Sequence, residues 1–283
     1  MRLLVTGSRG QLGRALERAA PAHGWEFYGF DLPELDITDR DAVAAAARTV
    51  LPAAIVNCAA FTAVDAAETH EEEALAVNGT AAAHLAAAAD EVGAALVQIS
   101  TDYVFDGRDE RPRREDDATN PLSAYGRTKL AGERAAASAR AHLIVRTAWL
   151  FGEGGVNFVE AIRGQLARGS RHLRVVADQQ GSPTYAADLA TALLQLIEGG
   201  ARGLVHAVNA GSTSWFGFAG EIVRQLGIAA DLEPITTETA ARPAPRPRFS
   251  TLDTARLVEL IGAPLPPWQD ALARYLAGTA AVG

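Results

Sequence analysis

Short apolar runs alternate, over the first half of the chain, with longer stretches in which apolar positions recur every three to four residues. Residues 2–6, 26–30, 54–58, 95–100 and 143–147 are the short runs and read as strands. Residues 11–22, 39–50, 71–92 and 123–139 carry the helical spacing, the second opened by Thr38 or Asp39 as cap. Strands that are apolar throughout suit burial on both faces. Helices of this length between them imply right-handed crossovers onto one parallel sheet. The expected class is therefore α/β, a doubly wound parallel sheet with helices on both sides.

Beyond residue 150 the rhythm loosens. Residues 157–169, 185–198, 216–226, 254–261 and 267–276 look helical, separated by Pro- and Gly-rich connectors. The most marked is 241–248, Ala-Arg-Pro-Ala-Pro-Arg-Pro-Arg. It reads as a substrate-side loop or linker in preference to a partner-binding segment. Two parts are expected: a nucleotide-binding domain over 1–150 and a smaller mixed, mainly substrate-binding lobe over 151–283. Some segments of the lobe should return to the sheet.

Composition narrows the function. The 283 residues are 48% hydrophobic and 21% charged, enough to bury a core, and the net charge is −8. That balance argues against a broad nucleic-acid or anionic-membrane surface. No run reaches the roughly 18 apolar residues that a membrane span needs. Cys58 is the one cysteine, so no disulfide forms within the chain and no Cys-rich metal site exists. The six histidines show no metal-ligand spacing. A cytoplasmic enzyme is expected, with neither nucleic acid nor membrane as partner. Of 26 basic side chains, Lys129 alone is lysine. In a chain that otherwise writes arginine, it is a candidate for a task that needs a compact ammonium.

Gly7-Ser8-Arg9-Gly10-Gln11-Leu12-Gly13 follows the first strand and opens the first helix. Glycines there let the backbone turn sharply and approach a pyrophosphate, whose charge meets the free amides of a helix N-terminus. The spacing is G-x-x-G-x-x-G and not the dehydrogenase G-x-G-x-x-G, but its place between strand and helix predicts a nucleotide-binding sheet of Rossmann type. After the second strand, Asp31 and Asp36 are available to the adenosine ribose or base, which favours NADH. Arg9 could hold a 2′-phosphate, which favours NADPH. NADPH is the expected cofactor, with NADH possible.

Tyr125 and Lys129 stand four residues apart and share one helix face. A phenol titrates near 10, so it is a poor acid–base group at neutral pH unless a cation lies close. Lys129 would supply that cation and could also hold the nicotinamide ribose. Just upstream, Ser100-Thr101-Asp102-Tyr103-Val104-Phe105 ends the fourth strand. A hydroxyl of Thr101 or Ser100 is placed to bond a substrate carbonyl beside Tyr125.

At these residues the chain resembles the extended short-chain dehydrogenase/reductases. Within them it is similar to the dTDP-4-dehydrorhamnose reductases over essentially its whole length. The shared stretches include Val56-Asn57-Cys58-Ala59-Ala60-Phe61-Thr62-Ala63-Val64-Asp65, Ser100 to Phe105, Tyr125-Gly126-Arg127-Thr128-Lys129, Arg146-Thr147-Ala148-Trp149, Asp178-Gln179-Gln180-Gly181-Ser182-Pro183-Thr184 and the Arg-Pro run ending near Arg248. The resemblance implies that Gly7, Gly10, Gln11, Leu12 and Gly13 meet the pyrophosphate. It puts Asp36 and Ile37 at the adenine side, and Ala59, Ala60 and Thr62 at the middle of the cofactor. Tyr125 would protonate a C4 oxygen as hydride reaches C4, and Thr101 would steady that oxygen. Asp102, Tyr103 and Trp149 would line the sugar. Related dehydratases carry Thr-Asp-Glu where this chain has Thr101-Asp102-Tyr103, which disfavours dehydration. Members that bind magnesium use glutamates where this chain has Ala15, Ala187 and Gln269, so no metal is expected. Monomer and homodimer both stay open. The implied activity is NAD(P)H-dependent reduction of dTDP-4-dehydro-L-rhamnose to dTDP-L-rhamnose. The alternatives are a 4-ketoreductase for another deoxysugar nucleotide or a non-catalytic, cofactor-binding regulatory subunit.

Overall fold

Alternation along the first strand sets the layers of the molecule. In β1 (Arg2–Thr6), Leu3 and Val5 point into one apolar core and Leu4 into another. The same split recurs in β3 (Ala54–Asn57), where Ala54 and Val56 face one side and Ile55 the other. A sheet buried on both faces follows. In this computed structural model, which describes residues 1–280, it has six parallel strands.

The remaining strands are β2 (Glu26–Phe30), β4 (Ala95–Thr101), β5 (His142–Thr147) and β6 (Gly203–His206). Their order across the sheet is β6-β5-β4-β3-β1-β2, and every neighbouring pair is parallel. The order in which the chain lays down strands reverses between β1 and β3, which opens a crevice at their carboxyl ends, where ligands bind in such sheets. One face is covered by α1 (Gln11–Ala19) and α6 (Ala186–Glu198), through Leu12, Leu16, Leu189, Leu193 and Leu196. The other is covered by α2 (Arg40–Val50), α3 (Ala81–Val92) and α4 (Ala124–Ala136). Each fully buried leucine contributes about 1.5–3 kcal/mol.

Later segments return to this sheet: β6 is its edge strand and α6 packs on α1. The rest builds a lobe with its own aromatic core. Phe151, Phe218, Trp268 and Tyr275 join α5 (Phe158–Ala167), α7 (Trp215–Leu226) and α8 (Trp268–Ala280). A parallel ribbon of His172–Val176 and Asp231–Ile235 packs into the same cluster through Leu173, Val175 and Leu232. No helix among the described residues is long and apolar enough to cross a membrane.

Two helices differ from the sequence expectation. The first ends at Ala19 and continues as a 3-10 turn over Ala20–His23, because Pro21 lacks the amide an α-helix would use. The expected helix over 71–92 is continuous but not α throughout: Glu71–Leu75 is α-helical, Ala76–Thr80 forms a π-turn and α3 begins at Ala81. The turn carries Asn78 inward, where it is 1% exposed. Its side chain accepts from Phe61 N at 2.9 Å and donates to Phe61 O at 3.1 Å and Thr128 Oγ1 at 3.1 Å. The π-turn thus serves the loop after β3.

Candidate active site

Three backbone segments converge at the carboxyl end of β1. Gly7 has φ +66°, and a Cβ there would lie 2.5 Å from Ala59 N in the loop after β3. Gly10 N donates to Gly7 O at 3.1 Å, and a Cβ on Gly13 would lie 2.5 Å from Gly7 O. Only glycine allows this approach. Gly10 opens α1 with no side chain capping it and no acidic residue in its first turn. The positive end of the helix is therefore offered to an external anion. A cradle that any Cβ would fill, with amides facing it, fits a dinucleotide pyrophosphate. Gln11 sits at its rim, accepting from Asn157 Nδ2 at 3.1 Å, while the Leu12 side chain belongs to the core.

The β2 side is more committed than the sequence suggests. Asp31 accepts from the amides of Arg9 and Leu32, each at 2.9 Å. The Arg9 guanidinium donates to Leu32 O at 2.8 Å and pairs with Glu34, both side chains about half exposed. Asp36 holds the amide and hydroxyl of Thr38 at 2.8 and 2.7 Å, bonds that keep its carboxyl below the usual range. Ile37 packs in the core. Asp31 terminates β2, three strands across from β4, roughly 14 Å away.

The second cluster forms where β4 ends and α4 begins. Ser123 caps α4, accepting from Gly126 N at 3.1 Å, and a Cβ at Gly126 would lie 2.3 Å from Tyr103 O. Helix and strand-end therefore meet backbone to backbone, which sets Tyr125 beside Thr101. The Thr101 hydroxyl faces the Tyr125 phenol, donates to Asp102 Oδ1 at 3.1 Å and accepts from Tyr103 N at 3.2 Å. The Tyr103 and Tyr125 rings meet edge to face at 5.7 Å. Both hydroxyls the sequence left open donate to a carboxylate, Ser100 to Glu133 Oε1 at 2.5 Å, and Thr101 is the one that faces Tyr125. Glu133 in turn pairs with Arg146 at 2.8 and 2.7 Å, both side chains buried. Nothing in the motifs announced this network. Its one signal is that Glu133 continues the four-residue spacing of Tyr125 and Lys129.

Electrostatics here correct one expectation. Burial pushes the Tyr125 phenol up to about 12, against the pull of the Thr101 hydroxyl. Lys129 does not bring it down. Its ammonium is buried and donates to Ile99 O at 2.7 Å, and burial lowers its pKa to about 8. Tyr125 is therefore a protonated phenol at neutral pH. Burial likewise raises Asp102 to about 6, opposed by neighbouring hydroxyls, and raises the thiol of Cys58, a partly buried residue at the core edge, to about 12. Cys58 is thus an inert apolar neighbour.

Trp149 flanks this cluster, packing on Val104, Phe105 and Leu130, with a backbone φ of +45°. Its ring is stacked on Trp215 at 3.5 Å and 7°, and a Cβ at Gly181 would lie 2.4 Å from it. Trp215, which the sequence reading missed, is fixed by a bond from Nε1 to Gln179 Oε1 at 3.1 Å. Arg246, from the Pro-rich run, was missed as well. It pairs with Asp65 at 2.9 Å and faces the Tyr103 phenol. Among the described residues, no three metal-ligating side chains converge.

Residues 1–280 match the family model described as the RmlD substrate binding domain. A dTDP-4-dehydrorhamnose reductase of Streptomyces griseus is 46% identical over 279 residues, covering 96% of this chain and 91% of that protein. The chain belongs to this reductase family. It is an oxidoreductase, and its α/β fold is shared in detail with solved members. The structure of a dTDP-4-dehydrorhamnose reductase from Clostridium acetobutylicum superposes with a TM-score of 0.95 at 41% identity, covering 99% of this chain and 100% of that one. The Bacillus anthracis reductase, solved in complex with NADP, gives 0.94 at 37% identity, with 98% and 99% covered.

Proposed function

We propose that the protein is a cytoplasmic reductase that converts the C4 keto group of dTDP-4-dehydro-L-rhamnose to the alcohol of dTDP-L-rhamnose, with NADPH preferred and NADH accepted. Residues 1–150 would form mainly the cofactor domain and 151–283 mainly the substrate lobe, with α6 and β6 completing the sheet. The observation that carries this reading is a protonated phenol, Tyr125, set beside Thr101 at the carboxyl edge of the sheet. A family relative solved with NADP supports the cofactor.

The glycine turn and the uncapped start of α1 would hold the pyrophosphate, with Ala59, Ala60 and Thr62 along the middle of the dinucleotide. When bound, the reduced nicotinamide supplies the hydride. The rest falls to side chains. Thr101 orients the carbonyl oxygen and Tyr125 gives that oxygen a proton. A phenol near 12 keeps its proton at neutral pH yet remains a far stronger acid than an alcohol, so its transfer runs toward reduction. Lys129 is placed to hold the nicotinamide ribose. Asp102, Tyr103 and Trp149 would contact the sugar.

Mixing the purified protein with this substrate and NADPH or NADH, and following cofactor oxidation, tests the reading. Wild type should oxidise cofactor rapidly, and Tyr125→Phe should lose about 10²–10⁴-fold in kcat with an unchanged NADPH Kd. Tight cofactor binding by wild type with no oxidation would sink it.

A further inference from the structure

The Pro-rich run is not a free linker. Asp65, just after the loop that follows β3, gathers donors from it: Ala244 N at 3.1 Å and Arg246 Nη1 at 2.9 Å on Oδ1, with Arg242 at 3.7 Å from Oδ2. The Arg246 side chain is 16% exposed and that of Asp65 29%, so water is largely kept from the pair. At its far end the run is held by Gln180 N donating to Arg248 O at 2.7 Å and Phe249 N to Gly107 O at 3.2 Å. Gly107 has φ +68°, and a Cβ there would lie 2.6 Å from Pro247 Cβ, so the run lies tight on the loop after β4. Prolines 243, 245 and 247 stiffen it and remove three amide donors. Its seat therefore depends on the few bonds just named.

We propose that Asp65 and Arg246 are positioning residues: their ion pair clasps the 242–248 strap over the site and fixes the Tyr103 phenol as a hydrogen-bond donor to a substrate oxygen. The proposal rests on the nucleotide-sugar reductase reading above. The Arg246 guanidinium faces the Tyr103 phenol and carries donors but no acceptor, so of the two groups only the phenol oxygen can accept. The hydrogen of that phenol is then left for another partner. Tyr103 stands edge-on to Tyr125 at 5.7 Å, beside the group that would meet the substrate carbonyl. The facing guanidinium also opposes the rise that burial imposes on the Tyr103 phenol. In the related dehydratases this position holds a glutamate. Here a donor replaces it, and Arg246 is what makes it a donor.

The test compares wild type, Asp65→Asn, Arg246→Ala, Arg246→Lys, Tyr103→Phe and the Asp65→Asn/Tyr103→Phe double variant. Three quantities are measured: KM and kcat for dTDP-4-dehydro-L-rhamnose, affinity for the same sugar nucleotide by titration calorimetry, and NADPH Kd. Asp65→Asn and Arg246→Ala should each weaken the sugar nucleotide about tenfold in KM and in calorimetric affinity. NADPH Kd should stay within about twofold. Arg246→Lys should recover most of the loss, and the double variant should be no worse than Tyr103→Phe alone. Wild-type affinity in Asp65→Asn, full additivity in the double variant, or a parallel loss of NADPH binding would each overturn the proposal. If Asp65→Asn folds poorly, Tyr103→Phe against Tyr103→Phe/Arg246→Ala makes the same comparison. Calorimetry needs no turnover. An inactive wild type that still binds the sugar nucleotide therefore defeats the reductase reading and leaves the clasp to be judged on affinities. A wild type that does not bind it defeats both.

Discussion

Lys129 occupies the helix face that its spacing from Tyr125 dictates, yet its ammonium is engaged with Ile99 O, and burial has drawn its pKa down to about 8. A desolvated ammonium is costly, and a chain that writes arginine elsewhere keeps lysine here because a compact head fits under a strand carbonyl. The consequence is a pH limb. The charged form is the one that can hold ribose hydroxyls as a three-donor cation. Free-enzyme kcat/KM should therefore fall as pH rises through about 8, tracking Lys129, and not near 12, where Tyr125 titrates. Initial rates at low substrate from pH 6 to 10 check this. A plateau running to pH 10 would remove Lys129 from the cofactor-binding role.

At the scale of elements, what the sequence showed and what it hid divide by the range of the interactions. The glycine turn was legible because its constraints are local: a positive φ at Gly7 and a helix opening three residues later. The Tyr125/Lys129 face and the Ser123 cap are equally local. The π-turn was legible only in part: Asn78-Gly79 interrupts the alanine-rich pattern, but the partners it serves, Phe61 and Thr128, lie far off, Thr128 fifty residues from Asn78. The strap was half legible. Its prolines declared stiffness, but its anchor Asp65 lies 179 positions from Ala244. Gly132 joins these ideas in a prediction. It is a mid-helix glycine, where alanine should gain about 1 kcal/mol of helix propensity. A Cβ there would lie 2.1 Å from Asn78 O, a backbone atom of the π-turn that cannot step aside. Gly132→Ala should therefore destabilise by about 1–3 kcal/mol in urea unfolding, against its propensity. A more stable variant would mean that α4 does not need this close approach.

For the molecule as a whole, two buried groups near the carboxyl ends of β4 and β6 shape the response to pH in opposite senses. His206 is fully buried, bonded to Arg113 O at 3.0 Å, and burial with the neighbouring Arg146 lowers it to about 4. A histidine depressed below its unfolded value of about 6.5 stays neutral in the fold. Stability is then complete above that value and declines as pH falls toward 4. Asp102 does the reverse. Burial raises it to about 6, so its contribution is favourable below the ordinary carboxylate range and is lost as pH rises through 6. Between about pH 4 and 6 the two slopes oppose each other. At neutral pH the fold thus carries an ionised carboxylate whose Oδ2 has no hydrogen-bond partner among the described residues. Holding that charge at neutral pH costs about 3 kcal/mol. That is a large fraction of the stability of a domain, and it is sustained at the position where the sugar is expected. Asp102→Asn should accordingly stabilise the protein by up to about 3 kcal/mol at pH 7.5, with the gain halved near pH 5 and gone by about pH 3, while reductase activity drops. Urea unfolding of both proteins across that range decides the matter. A gain that does not shrink with pH would show that the asparagine repairs packing, and that no ionised carboxylate is held there at a cost to the fold.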